Sequence, residues 1–424
     1  MAGTLSAKRA STLGVFLKVA ERCNINCSYC YYFNRGNEDF QSRPAYLSAD
    51  TASAFVGYVS AAVRDQGFDR VEISLHGGEP LMMKRGVFRD LCAALRRDVG
   101  SAAELDISLQ TNAMLVDEAW LRDFESYGVA VAASVDGPKA INDRFRLDHR
   151  GRGTYDRTAA GIELLRQAHL AGRLPRFGIL VVIDPAVSGR AVYRHLVDEL
   201  GVKSFDFLYP ESTVDSSDAA RESGCAAYMR EVHVEWRRDR GKGVAIRSLS
   251  NLMFALAGGA PSIDQSATAS RSRVDITIHS DGDISLDDRI RLVSRELSST
   301  KLNVHSSGFS QLLGARGAVA AIRDAEARIP HDCASCIWAS SCRGGDLLNR
   351  YSRSRGVNNR SVYCEALGAM HEAVVSDLVE AGYSLDFMGD ALSSASAVAE
   401  AMEEADAPLA SRTIPIFVAA NTDH

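Results

Sequence analysis

The sequence predicts an α/β protein that begins with a partial barrel of six strand–helix units. Between Gly14 and about Arg237, short runs of β-branched and aromatic residues alternate with longer segments of helical apolar spacing. Such alternation builds parallel strands joined by right-handed crossovers. Because a closed barrel needs eight units, we expect a curved sheet with one open side.

Each element is justified by its own pattern. The strands are short apolar runs, namely Val15–Ala20, Val71–Leu75, Leu105–Gln110, Val129–Ser134, Phe177–Ile183 and Ser204–Tyr209. The helices repeat apolar residues every three or four positions, namely Ala49–Asp65, Gly86–Val99, Asp117–Tyr127, Tyr155–Ala171, Arg190–Leu200 and Ala219–Arg237.

The pattern changes after the polar stretch Gly258–Ser272. Val274–His279 and Ile284–Asp287 flank an Asp-Gly turn and predict a hairpin. A loop-rich region follows, and the helix Glu365–Ala381 closes the compact part. The apolar segment Ile414–Ala420 predicts an edge strand, or alternatively an occupant of a peptide groove. The predicted divisions are an N-terminal tail, a barrel, a linker, a C-terminal domain and a C-terminal tail, at 1–12, 13–237, 238–272, 273–382 and 383–424.

Composition excludes several classes of protein. The 424 residues carry 48 basic and 54 acidic side chains, a net charge of −6 that argues against nucleic acid as a partner. With 46% hydrophobic residues the chain is not disordered. No apolar run is long enough to span a membrane, and Met1–Thr12 lacks the features of a secretory signal. We therefore expect a soluble, cytoplasmic protein.

Seven of the nine cysteines fall into two groups, which in a reducing compartment indicates metal or cluster ligands. Cys92 and Cys225 stand alone and are expected to be small buried hydrophobes. The two groups are Cys23, Cys27 and Cys30, and then Cys333, Cys336, Cys342 and Cys364.

The first group directly follows the first predicted strand. Three thiolates on one short loop can hold three corners of a 4Fe–4S cube and leave one iron without a protein ligand. A structural zinc is the alternative, but it needs four ligands, and no fourth Cys or His lies in the loop.

These motifs resemble the radical S-adenosylmethionine (SAM) superfamily, whose fold is a partial (β/α)6 TIM barrel. The resemblance spans roughly 14–209. It implies that the backbone of Tyr29 meets the adenine of SAM. It also implies that Gly77, Gly78 and Glu79, in the run HGGEP, receive the methionine amino group. Glycines there let the backbone approach a ligand closely, and the glutamate supplies a carboxylate for an ammonium group.

Further candidate residues lie at or beyond the ends of later strands, where ligands of parallel sheets usually bind. By resemblance, Asn112, Ser134 and Asp136 approach the ribose and methionine parts of SAM. Arg146 matches an arginine that meets the methionine carboxylate in sulfatase-maturating relatives, and a guanidinium can hold a carboxylate with two hydrogen bonds. The alternative for Arg146 is a solvated surface residue.

The second cysteine group supplies four soft ligands, enough for a 4Fe–4S cluster or a tetrahedral zinc. In this context it resembles the SPASM domain of peptide-modifying radical SAM enzymes, which implies an auxiliary cluster. A full SPASM domain holds a second cluster closer to the barrel, but Asp287 and Asp346 stand at two of its cysteine positions. We therefore expect two 4Fe–4S clusters in total.

Asp288 follows one of these positions, and the resemblance implies a general base near the substrate. The alternative is a solvated acidic pair.

The resemblance as a whole implies a maturase of a ribosomally made precursor peptide, most like those that form cyclophanes by joining an aromatic ring carbon to a Cβ atom. The alternatives are formylglycine formation on a sulfatase, thioether formation, peptide epimerisation and a zinc-stabilised peptide-binding protein without activity. The expected partners are a precursor with a leader and an electron donor such as flavodoxin or ferredoxin. Leader recognition is expected to use the C-terminal region, the barrel flank or a separate protein.

Overall fold

The computed structural model describes seven stretches of the chain, namely 11–36, 38–257, 273–286, 288–294, 298–314, 328–384 and 386–389. Asp287, Ile414–Ala420, most of the predicted N-terminal tail and the second half of the predicted linker lie outside these residues. No helix in the described part of the chain is both long enough and apolar enough to cross a membrane.

One sheet organises the described residues, with the strand order β10-β9-β8-β1-β2-β3-β4-β5-β6-β7. The strands are β1 Thr12–Ala20, β2 Arg70–Gly77, β3 Glu104–Thr111, β4 Val129–Ser134, β5 Phe177–Val182, β6 Ser204–Leu208, β7 Ala245–Ile246, β8 Arg273–Ile278, β9 Asp283–Ser285 and β10 Ser299–Asn303. Neighbours from β8 through β7 are parallel, whereas β9 and β10 add antiparallel pairs.

Helices connect the strands and cover the outer face of the sheet. They are α1 Asp39–Ser42, α2 Ala49–Gln66, α3 Arg85–Asp98, α4 Glu118–Tyr127, α5 Lys139–Asn142, α6 Tyr155–Leu170, α7 Gly189–Arg194, α8 Ala219–Arg238, α9 Arg247–Leu256, α10 Phe309–Gly314, α11 Ala339–Cys342 and α12 Cys364–Glu380. A π-helical turn, His195–Glu199, continues α7, and short 3-10 turns lie at Pro80–Met82, Val214–Ser216, Ile290–Leu292, His331–Cys333 and Leu348–Arg350.

The predicted barrel is confirmed. All six predicted strands and their parallel order are present, and the hairpin with its turn at Gly282 is present as β8 and β9. Alternate residues of β1 (Leu13, Val15, Leu17 and Val19) are buried in the core, as expected for the face of a sheet that helices cover.

The predicted linker over 238–272 is wrong for 245–256. These residues form β7, which pairs with β6, and α9, whose apolar side chains pack into the core. The predicted boundary at 273 also differs from the structure, because β8 pairs in parallel with β1 and so belongs to the barrel sheet. A strand of two residues is too short to produce a periodic signal, and its pairing depends on a neighbour distant in sequence.

The C-terminal helix α12 packs against α8 through a buried carboxylate. Asp377 accepts a hydrogen bond from His233 Nε2 at 2.8 Å and forms ion pairs with Arg237 at 3.0 Å and Arg240 at 2.7 Å. Asp377 is buried, so these cations compensate a charge that would otherwise be costly. This contact joins α8 to the helix that begins at Cys364, a member of the second cysteine group.

Candidate functional site

A cavity of about 860 Å³ opens where the parallel strands end. It is the size of a typical small-molecule or cofactor pocket. Eleven of the predicted site residues line it, namely Cys23, Cys27, Tyr29, Cys30, Gly77, Gly78, Asn112, Ser134, Arg146, Asp288 and Cys342. Five do not, namely Glu79, Asp136, Cys333, Cys336 and Cys364.

The loop of the first three cysteines is held against the segment that follows α5. Asn26 N donates to Leu147 O at 2.7 Å, and Ser28 N donates to Phe145 O at 3.1 Å. Within the loop, Cys30 N donates to Cys27 O at 3.0 Å. These backbone bonds fix the direction of all three thiols, so the loop presents them together at the cavity wall.

Burial makes these thiols hard to ionise in the free protein. It raises the pKa of Cys23 to about 12 and that of Cys27 to about 11, and it also raises the pKa of Cys30. A thiol binds iron as thiolate, so a bound cation must supply the charge that removes the proton. Among the described residues, no group of three or more His, Cys, Asp or Glu is arranged to hold a metal ion. In a 4Fe–4S cluster each of three thiolates binds a different iron.

Gly77 and Gly78 allow the end of β2 to pass close to the backbone after β1. Gly77 has φ +124°, and Gly78 N donates to Ala20 O at 2.7 Å. A Cβ atom at Gly78 would lie 2.2 Å from Arg22 O, closer than any side chain allows. Glycine is thus required here for chain packing as well as for access to the cavity.

The Glu79 carboxylate, which the resemblance implies as a ligand for an ammonium group, does not line the cavity. The carboxylate is fully buried and accepts hydrogen bonds from Leu81 N at 3.0 Å, Thr111 Oγ1 at 2.8 Å and Asn112 N at 2.7 Å. Burial raises the pKa of Glu79, whereas these donors favour the charged form. Its function is to fix the ends of β2 and β3 relative to each other, beneath the cavity wall.

Tyr29, Asp136 and Arg146 form one hydrogen-bonded cluster. Tyr29 OH donates to Asp136 Oδ2 at 2.6 Å, and Arg146 Nη1 donates to Tyr29 OH at 2.8 Å. Asp136 also accepts from Val182 N, so it is buried behind the other two instead of facing the cavity. Asp136 therefore reaches the cavity only through Tyr29, and its contact with SAM stays a prediction.

Arg146 is buried, which excludes the alternative of a solvated surface residue. Its Nε atom has no hydrogen-bond partner among the described residues, although the guanidinium lines the cavity. A buried donor without an acceptor is costly, so this atom fits a carboxylate on a bound molecule.

Asn112 and Ser134 lie at the ends of β3 and β4, as predicted. Asn112 Nδ2 donates to Asn24 Oδ1 at 2.7 Å and lies 3.9 Å from Cys23 Sγ, which joins the end of β3 to the cysteine loop.

Asp288 faces the cavity and is buried, so the alternative of a solvated acidic pair is wrong. Its Oδ2 atom accepts a hydrogen bond from Tyr31 OH at 2.9 Å and forms an ion pair with Lys18. Burial by itself would raise the pKa of Asp288, but the charges of Lys18, His279 and Arg291 hold it well below its usual range.

Sequence reasoning missed Lys18 and His76, both of which line this cavity. Lys18 Nζ lies 3.1 Å from His76 Nδ1, and His76 Nε2 lies 3.0 Å from Gln110 Oε1. The signal was present, because Lys18 is a lysine inside an otherwise apolar strand, and such a residue is rarely buried without a partner. Its partner Asp288 is distant in sequence and could not be identified from the strand alone.

The second cysteine group lies on short turns around the start of α12. Cys336 N donates to Cys333 O at 3.0 Å, Cys342 ends α11 and Cys364 begins α12. Burial raises the pKa of Cys342 to about 11, and the nearby thiols of the same group contribute to this shift. The four thiols are therefore near enough to influence one another electrostatically, and burial also raises the pKa of Cys333 and of Cys364.

Asp346, at one of the positions that differ from a full SPASM domain, forms an ion pair with Arg289. Its Oδ1 atom also accepts a hydrogen bond from Leu348 N at 3.0 Å. Arg289 and Asp346 both line the cavity, as do Asp288 and Cys342.

Comparison with known families agrees with this geometry. Residues 17–184 match the radical SAM superfamily, so this part of the chain is a radical SAM domain. The matched stretch contains the end of β1, the first cysteine group and β2 to β5.

Comparison with individual proteins gives more detail than the match to the superfamily. The chain is 22% identical over 395 residues to the cysteine-type anaerobic sulfatase-maturating enzyme of Clostridium novyi (strain NT), covering 89% of this chain and 99% of that protein. It is 28% identical over 234 residues to the serine-type enzyme of Klebsiella aerogenes, of which it spans about half, 54%.

Among solved structures, native anSMEcpe with bound AdoMet and Cp18Cys peptide superposes with a TM-score of 0.72 at 21% identity. The match covers 87% of this chain and 98% of the other. This likeness shows that this chain and anSMEcpe share the same fold, both in the partial barrel and in the region that follows it.

Proposed function

We propose that this protein is a radical SAM maturase that modifies a peptide by joining an aromatic ring carbon to a Cβ atom. One observation carries the proposal: a single cavity contains the three thiols of the first group, the free Arg146 donor, the Asp288 carboxylate and Cys342. A site for radical formation, a proton acceptor and a second cluster are thus close enough to act on one substrate.

The proposed cofactors are SAM and two 4Fe–4S clusters. Cys23, Cys27 and Cys30 hold the first cluster, and the second cysteine group holds the other. Arg146 binds the methionine carboxylate through its free donor. The remaining contacts with SAM come from the cavity residues Tyr29, Gly77, Gly78, Asn112 and Ser134.

When bound, SAM and the first cluster supply a carbon radical that removes a hydrogen atom from an unactivated C–H bond, and the second cluster supplies an electron acceptor. The protein holds the substrate so that only one C–H bond is near. Asp288 then accepts the proton that the ring carbon loses as the new C–C bond forms. Because one hydrogen atom, one proton and one electron leave, the product is lighter than the substrate by two hydrogens.

The cavity wall supports an aromatic substrate. Phe16 is 44% exposed and Leu208 is 36% exposed, although both lie within strands of the barrel. Both line the cavity, where an apolar side chain of a peptide would cover them. The similar solved structure holds a bound peptide, which supports a peptide as substrate here. The relatives are named sulfatase-maturating enzymes, so formylglycine formation on a sulfatase is the second candidate.

The two candidates are separated by the product. Anaerobic incubation with a peptide that carries an aromatic residue two positions before the target residue should give a loss of two hydrogens in the mass spectrum. The product should not react with a hydrazide probe, since a crosslink has no aldehyde. A hydrazide-reactive product, or modification only of the Cp18Cys peptide, would favour formylglycine formation instead.

The role of Asp288 has its own test. In Asp288→Ala, SAM cleavage in the presence of dithionite should continue, because the first cluster is intact, whereas crosslinked product should fall at least about a hundredfold, the usual range for loss of a general base. Full product formation by Asp288→Ala would show that another group accepts the proton.

A further inference from the structure

Lys18 has all its hydrogen-bonding capacity used inside the protein. It is 1% exposed, and an ammonium group has three N–H donors. Its three acceptors are Asp288 Oδ2, Tyr31 OH at 3.2 Å and His76 Nδ1 at 3.1 Å. The Tyr32 ring lies 4.7 Å from Nζ and adds a cation–π contact. The ammonium is therefore held in one position and one orientation.

This contact determines the tautomer of His76. Burial, followed by the charge of Lys18, lowers the pKa of His76 to about 3, so its ring is neutral. An ammonium can only donate, so Nδ1 must accept and the ring proton must be on Nε2. Nε2 then donates to Gln110 Oε1 at 3.0 Å, which directs the Gln110 amide nitrogen towards Ser134 Oγ at 3.4 Å.

These contacts form a row of hydrogen bonds in which every donor points the same way along the row. It crosses the adjacent strands β1, β2, β3 and β4 at the edge of the cavity, from Lys18 through His76 and Gln110 to Ser134. Each member donates to the next, so the Ser134 hydroxyl is left to donate its own hydrogen into the cavity. One end of the row contacts the proposed base, and the other contacts the proposed SAM site.

Lys18 also determines the state of Asp288. The groups that face this carboxylate are Lys18 from β1, Tyr31 and Tyr32 from the cysteine loop, His76 from β2, His279 from the hairpin, and Arg291. Arg291 is farther away, at 3.8 Å from Oδ1, and Oδ1 has no hydrogen-bond partner among the described residues. Lys18 is thus the cation in direct contact with the carboxylate.

We propose that Lys18 is a positioning residue, which keeps Asp288 ionised and oriented at the cavity wall and starts the hydrogen-bond row that orients Ser134. The inference deepens the proposed function and rests on it for the role of Asp288. The effect of Lys18 on the ionisation of Asp288 can nevertheless be measured in the protein without any cofactor.

The first test uses the apoprotein and infrared spectroscopy. Without Lys18, the largest charge that opposes burial is lost and Arg291 remains 3.8 Å away, so the pKa of Asp288 should rise. Full burial raises the pKa of a carboxyl group by up to about 3–5 units. In Lys18→Met, a protonated carboxyl band should therefore grow as pH falls from about 8 to 5, where folded proteins are usually most stable. This additional band should be absent from the unmutated protein and from the double variant Lys18→Met/Asp288→Asn, whereas other buried carboxyl groups such as Glu79 absorb equally in all three proteins. If Lys18→Met proves unstable, Lys18→Gln removes the same charge and retains an amide donor for His76.

The second test is the pH profile of product formation with the loaded enzyme. A base must be ionised, so Lys18→Met should lose product formation as pH falls through this range and recover it at higher pH. Reductive SAM cleavage should show no such change. A Lys18→Met variant without the carboxyl band, and with the pH profile of the unmutated enzyme, would overturn the inference. Failure of the unmutated enzyme to cleave SAM would instead reject the proposed function, and the infrared result would remain interpretable.

Discussion

At the scale of single residues, burial decides the chemistry of the site. The thiols of Cys23 and Cys27 are hard to ionise because they are removed from water, and the carboxylate of Asp288 is kept charged only by nearby cations. The same burial leaves Arg146 Nε without an acceptor. A site with neutral thiols and a free buried donor is completed when a positive cluster and an anionic group bind.

Cys27→Ala should abolish SAM cleavage, because two thiols hold a cube poorly. The iron content of the reconstituted protein should fall from about eight to about four per chain, the amount expected from the second cluster alone. Iron analysis and the yield of 5′-deoxyadenosine measure this. Cys92→Ala, a buried helix cysteine away from the cavity, is the matched control and should retain both. Undiminished iron in Cys27→Ala would contradict the ligand assignment.

Arg146→Gln should weaken SAM binding by roughly tenfold to a hundredfold, since a hydrogen bond to a charged group contributes about 1.5–3 kcal/mol. Equilibrium binding of SAM to the reconstituted protein measures the loss. Arg144→Gln is a suitable control, because Arg144 lies two positions earlier, pairs with Asp184 and is half-exposed. Equal affinities of the two variants would show that Arg146 does not contact the cofactor.

At the scale of elements, the close packing of helices against the loops that follow the strands determines where the site residues lie. Helix α6 crosses the loop after β3 at Gly161, where a Cβ atom would lie 1.9 Å from Ala113 O. Next to it, Thr158 Oγ1 donates to Asn112 O at 3.1 Å. The position of Asn112 in the cavity therefore depends on α6, which can approach the loop this closely because Gly161 has no side chain.

Gly161→Ala should lower the free energy of unfolding by about 1–3 kcal/mol, the usual cost of overpacking, because the clash is with backbone. Gly57→Ala is the matched control in α2, where the added Cβ meets nothing within 4 Å. It should raise stability by about 0.5–1 kcal/mol through higher helix propensity. Urea unfolding of the apoproteins compares the two, and a stable Gly161→Ala variant would show that α6 can shift.

At the scale of the whole molecule, one cavity connects the barrel to the C-terminal region. Tyr209, at the end of β6, stacks on Tyr363 with 4.7 Å between ring centroids. Tyr363 immediately precedes Cys364, and both rings line the cavity. The second cysteine group therefore meets the cavity through Cys342 and through Tyr363, the neighbour of Cys364.

Cys364→Ser should separate the functions of the two clusters. Iron should fall from about eight to about four per chain, and reductive SAM cleavage should continue because the first group is unchanged. Crosslinked product should be lost, since the electron from the substrate has no acceptor. Cys225→Ser, at a buried position in α8, tests whether loss of any thiol has this effect. Full product formation by Cys364→Ser would exclude the second cluster from the reaction.

The sequence by itself determined the alternation of strands and helices, the two cysteine groups and the positions of Asn112 and Ser134 at strand ends. These depend on local periodicity and on spacing along the chain, which a strand or loop preserves when it folds. Only the tertiary structure decided that β8 pairs with β1, that the Glu79 carboxylate is buried beneath the cavity wall, and that Lys18 contacts Asp288. Each of these joins residues far apart in sequence, where partners are chosen by chain crossovers and burial, and no local pattern records that choice.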